Sequence, residues 1–219
     1  DTTVTAWQVA ALKSAQLAAM STAALAALTT DQIVALSTAQ VASLSASILS
    51  RLTTAQIAAL ETTDLAAVSS LAITALTTDQ ATALSTDQIA ALRTAQLGAL
   101  SSSVLGVLST DQAVALTTTQ AASLKSTQLS ALSTDAIAAL ETADLAVVSS
   151  TAVAGLSTAQ AVALTTDQIA ALSTVQLANL KSAALAALTT DQIVALTSDQ
   201  TASLTASRLA LMTTDQIAA

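Results

Sequence analysis

Hydrophobic residues in this chain fall in a frame of eight. In "LTTDQIVALSTAQVASL", residues 28–44, leucines stand at Leu28, Leu36 and Leu44. After each of the first two come two hydroxyl residues, then Asp or Ala, a Gln and a branched aliphatic. From Val4 to Ala219 the chain divides into 27 such octads without insertion or deletion, and only Asp1, Thr2 and Thr3 lie outside. Position 1 is Leu in 22 octads, with Val4, Met20, Val68, Val148 and Met212 in the rest. Ser or Thr fills position 2 in 21 octads and position 3 in 24, Gln fills position 5 in 17, and position 6 is mostly Ile, Leu or Val. Positions 7 and 8 are mostly small.

This pattern is neither one long helix nor a strand ladder. At about 100° per residue an eight-residue repeat drifts by about 80° per octad, so the leucines of a continuous helix would spiral round it instead of forming a stripe. Strands need apolar and polar residues to alternate, and Ala and Gln are weak strand formers. A short helix followed by a corner fits every position. Ser/Thr at position 2 and Gln at position 5 have capping-box spacing. Asp at position 4 then lies in the first turn, where the helix dipole favours an anion. Position 6 and the next position 1, three residues on, share a face, and the alanines favour helix and close packing. Position 3 is the more regular hydroxyl, so the cap is assigned to either position. Position 2 admits Lys13, Lys125, Lys181, Arg93, Glu61 and Glu141, which places it toward water. Helices this short do not persist alone. They require stacking on a shared aliphatic core, where two buried side chains per octad contribute roughly 3–6 kcal/mol before conformational entropy is subtracted.

The predicted fold is therefore all-α: a superhelical solenoid of very short helices, one per octad, forming a single repeat array over residues 1–219. A slower rhythm of 40 residues, or five octads, overlies it. Leu25, Leu65, Leu105, Leu145 and Leu185 hold position 6, each preceded by a residue other than Gln (Ala24, Asp64, Val104, Asp144, Ala184). Two octads later Val41, Ala81, Ala121, Ala161 and Thr201 are all smaller. "LETTDLAAVSS" at 60–70 returns as "LETADLAVVSS" at 140–150. Segment duplication explains this rhythm, as does a superhelix with five octads in one turn or in two; the hand is left open.

Composition narrows the function more than the fold. The chain has no Phe, Tyr, Cys, His or Pro and one Trp, so its core is thin and uniform. Its net charge of −8, from 14 acids and six bases, disfavours nucleic acid and anionic lipid as partners. Without Cys there is no disulfide framework and no thiolate metal site. No apolar run is long enough for a transmembrane helix. No leader sequence is recognised, and the chain reads as a mature polypeptide or as a slice of a longer array.

The stretch "LTTDQIVAL" resembles the first-helix start of the DNA-reading repeats of transcription activator-like effectors, but only over about nine residues, and this acidic chain lacks their basic surface. The whole chain is more similar to octapeptide-repeat, Ala/Thr/Ser-rich, Cys-free regions of large bacterial secreted and surface proteins. That resemblance implies extracellular structural work, as in stalks, sheaths and adhesins, and carries over no catalytic residue.

Candidate chemistry is sparse. Hydroxyls are plentiful, but there is no His to serve as base, and Lys13, Lys125 and Lys181 sit at the solvent-facing position 2. Glu61 with Asp64, and Glu141 with Asp144, form carboxylate pairs that read as one repeated structural element rather than acid–base machinery. The position-4 aspartates Asp31, Asp79, Asp87, Asp111, Asp135, Asp167, Asp191, Asp199 and Asp215 act as helix N-terminal charges; aligned across coils, they could also hold Ca²⁺. Trp7 reads as a surface variation. No catalytic, cofactor or metal residue is assigned, and no enzyme activity is expected. The function expected is that of an extracellular or cell-surface filament, sheath or stalk that self-associates end to end. The alternative is an adhesin-type module whose Asp and Thr rows bind calcium, glycan or ice.

Overall fold

A computed structural model describes residues 5–218; Val4, which opens the first octad, lies outside them. Among the described residues there are 27 α-helices of four to six residues and no strand, one helix per octad, from Ala6–Ala10 to Thr214–Ala218. The all-α solenoid expected from the octad is the fold observed. Compact packing divides the chain into two units, Asp1–Val107 and Leu108–Ala219, built from the same octad.

The octad explains each helix. In Thr86–Ala91, Ser85 at position 2 is the N-cap in extended conformation, its hydroxyl accepts from the Gln88 N–H, and the Gln88 side chain accepts from the Ser85 N–H. Asp87 lies in the first turn. Thr29, Ser37, Thr53, Ser157, Thr165 and Ser173 head their helices in the same way. The cap is thus position 2, and the more regular hydroxyl at position 3 is the first helical residue. Where position 2 is Lys13, Arg93 or Lys125 the side chain does not cap, but Gln16, Gln96 or Gln128 still accepts from its backbone N–H.

The corner follows at positions 1 and 2. Leu92, with φ −60° and ψ 132°, donates its N–H to the Ile89 carbonyl, and extended Arg93 then opens the next helix. No described residue has a positive φ, so the corner needs no glycine. Gly155 answers a different need: a Cβ there would lie 2.4 Å from the Ser126 hydroxyl oxygen and 2.6 Å from the Ser126 carbonyl oxygen.

Side chains at positions 6 and 1 form the core. Ile57, Leu65, Ile73, Ile89 and Leu97 are fully enclosed in the first unit, as are Leu129, Ile137, Leu145, Ile169 and Leu177 in the second. Within each unit the principal packing is between helices three octads apart, such as Thr38–Ala42 on Thr62–Ala67 and Thr142–Val147 on Thr166–Ala171.

Candidate functional site

The most distinctive polar feature is a ladder of buried glutamines, which unites the position-5 residues. Gln88 is almost wholly enclosed. Its Oε1 accepts from the Ser85 N–H at 2.9 Å. Its Nε2 donates to the carbonyls of Ile57 at 3.0 Å and Leu60 at 2.7 Å. One side chain therefore closes the start of its own helix and ties it to the turn below. Gln56 repeats this on Leu25 and Leu28, Gln80 on Leu49 and Leu52, and Gln96 on Leu65 and Val68. In the second unit Gln160, Gln168, Gln176, Gln192 and Gln200 do the same, for example Gln176 on Leu145 at 2.9 Å and Val148 at 2.7 Å.

Each rung reaches 31 residues back to a position-6 carbonyl and 28 back to a position-1 carbonyl. A superhelical turn thus closes between three and four octads. Neither five octads in one turn nor five in two turns fits that span. The 40-residue rhythm instead marks octads in which the rung is changed or missing. Ala24, Asp64, Val104, Asp144 and Ala184 stand where Gln would stand, each beside a buried Leu. Arg208 is another variant: its Nη2 donates to the Ala178 carbonyl and, at 2.6 Å, to the Leu180 carbonyl, while Nη1 is buried without a partner.

The acidic residues separate into two environments. The nine position-4 aspartates are exposed, and among the described residues no group of three acidic, His or Cys side chains gathers to hold a metal. Glu61 and Glu141 are exposed N-caps, whereas Asp64 and Asp144 are 3% and 2% exposed. The members of each carboxylate pair therefore do not share a surface. Lys13, Lys125 and Lys181 are exposed, and Lys181 reaches the Gly155 carbonyl at 3.5 Å. Trp7 is 86% exposed and lines a shallow apolar hollow with Ala6, Ala10 and Ala35.

Apolar grooves open where the ladder lacks a neighbouring turn. One of about 520 Å³ is lined by Val9, Leu12, Met20 and Leu28 among others. Another of about 330 Å³ is lined by Ile193, Leu196, Leu204 and Met212 among others. Among the described residues no helix is long and apolar enough to cross a membrane.

These features define a class: a short-repeat α-solenoid whose turns are cross-linked by side-chain amides. The ALTTAQ repeat family model matches residues 9–46, 57–94, 90–126, 137–174 and 174–206. These matches span most of the sequence, and the chain belongs to the ALTTAQ repeat family. No curated protein matches it.

Proposed function

We propose that this chain is a structural array, working outside the cell or at its surface as part of a filament, sheath or stalk, and that it associates with further copies of itself end to end. The ladder is the observation that carries this reading. Gln8 and Gln16 accept from their own cap N–H groups as other rungs do, but their side chains are exposed. If a second copy continues the frame, the acceptors for Gln8 are the carbonyls of Ile193 and Leu196, and those for Gln16 are the carbonyls of Thr201 and Leu204. These four residues line one apolar groove, and Gln16 lines the other. Donors meet acceptors and aliphatic surface meets aliphatic surface. The extracellular setting rests on the compositional likeness to bacterial surface repeats. Exposed Asp and Thr rows also suit the adhesin reading, in which the same array presents a binding face.

Sedimentation velocity and negative-stain microscopy test the assembly. The chain should form concentration-dependent rods, and Gln8→Glu with Gln16→Glu, which turns carboxylates toward those carbonyls, should leave monomers with unchanged circular dichroism. Monodisperse compact particles at high concentration, or rods unaffected by the double substitution, would refute it.

A further inference from the structure

Position 3 carries a hydroxyl that the fold does not use. It is Thr in 17 octads, Ser in seven and Ala in three. The alanines, Ala6, Ala46 and Ala206, each open a helix as Thr does elsewhere, so the helix start does not require the oxygen. Hydroxyls at other positions find partners inside the chain. Ser85 at position 2 accepts from the Gln88 N–H at 3.1 Å, and Thr151 at position 4 pairs with Ser149 at 3.0 Å. Thr82 at position 7 donates to the Asp79 carbonyl at 2.9 Å, and Ser43 at position 8 donates to the Gln40 carbonyl at 2.6 Å. Among the described residues no position-3 hydroxyl makes a hydrogen bond. Thr54, Thr86, Thr94, Thr134, Thr166 and Thr190 are all exposed.

The adjacent position 4 is exposed in every octad, yet it accepts seven residue types: Asp, Ala, Ser, Thr, Val, Leu and Trp. Segment duplication copies both positions alike, so it does not explain why only position 3 is restricted. Shape does not explain it either. Val has the outline of Thr and stands exposed at Val34 and Val175, but never at position 3. Nor does polarity, since Lys, Glu, Asn and Gln are absent there. What Ser and Thr share is an aliphatic hydroxyl, the group a reaction at oxygen needs. Phosphate would add a charge of about −1.5 to −2 per site, beside the position-4 aspartates of a chain already at −8. A neutral sugar adds none. We propose that the position-3 Ser and Thr residues are acceptors for O-linked sugars, supplied by a glycosyltransferase from a nucleotide-activated donor. The hydroxyl oxygen forms a bond to the anomeric carbon, and the bond from that carbon to the nucleotide phosphate breaks. The nucleotide leaves with the electron pair, and the hydroxyl proton passes to a base of the transferase. The assignment holds whether or not copies join end to end.

Mass spectrometry of the chain purified from the cells that make it tests this, with electron-transfer fragmentation to place each group. The intact mass should exceed that of the sequence by whole multiples of a hexose or N-acetylhexosamine residue, and mild alkali should remove the excess. The sugars should map to position 3, at Thr86 and Thr166 for example, and not to the capping hydroxyls of Ser85 and Thr165. Thr86→Val with Thr166→Val, made in the same cells, should delete those two sites and leave the melting temperature of the unglycosylated chain unchanged. A mass equal to that of the sequence, increments of phosphate in place of sugar, or sugars spread equally over positions 2, 3 and 4 would overturn the proposal. So would a fall in melting temperature for the double variant as large as that for loss of the capping hydroxyl in Thr165→Ala, since position 3 would then serve the fold.

Discussion

Removing one rung measures what the ladder contributes. In Gln88→Ala the Leu60 carbonyl loses its donor, which lies at 2.7 Å, in a dry setting. The Ile57 carbonyl is spared, because the Leu60 N–H still donates to it at 3.2 Å. The Ser85 N–H also loses its acceptor, but Ser85 is exposed and water replaces it. One orphaned buried carbonyl costs about 1–3 kcal/mol, and the cavity left by the truncated side chain adds to that. The expected loss is about 2–4 kcal/mol. The internal control is Gln8→Ala. Gln8 makes the same capping contact to Thr5 at 2.8 Å, but its side chain is exposed, so the loss should stay near 1 kcal/mol or below. Urea unfolding followed by circular dichroism gives the two values, and amide exchange at Leu60 and Ser85 locates the opening, since repeat arrays need not unfold in one step. Equal losses for the two variants, or a loss under about 0.5 kcal/mol at Gln88, would show that the rung only caps its helix.

Three further substitutions probe the other parts. Gly155→Ala should destabilise by about 1–3 kcal/mol, because its methyl group meets the Ser126 backbone and not only a movable side chain; thermal melts read the effect. Thr165→Ala removes the hydroxyl that accepts from the Gln168 N–H at 3.1 Å and should cost about 1 kcal/mol in urea unfolding. Leu97→Ala empties a fully buried core site and should cost about 2–5 kcal/mol, whereas Leu71→Thr, at a side chain 77% exposed, should be neutral within about 0.5 kcal/mol.

Local structure was legible in the octad because each residue type there has one dominant local use. Ser85 and Gln88 specify a helix start, and Ile89 with Leu92 specifies the buried face. The length of a turn was not legible. It is set by two consecutive extended residues at the corner, such as Leu92 and Arg93, whose angles no composition rule encodes. The far end of the glutamine was missed for a related reason, since its partners lie 28 and 31 residues away. A signal did exist. Capping boxes accept Glu as readily as Gln, yet no octad here carries Glu at position 5. A site that refuses a carboxylate of the same length needs an amide proton. Asp64 and Asp144, read from sequence as parts of one repeated structural element, mark the two octads that carry a carboxylate at this position, and there it is one methylene shorter than Glu.

The length of the rungs also constrains how such a chain can change in evolution. Each spans about three and a half octads, while octads with Gln can start a new one every eight residues, so several rungs straddle most corners. Adding or losing a single residue at one corner would therefore misalign every amide that crosses it, far from the lesion itself. Gain or loss of a whole octad leaves each donor opposite an equivalent carbonyl. Growth of this molecule is quantised, and 27 units without one slipped residue is the record of that restriction.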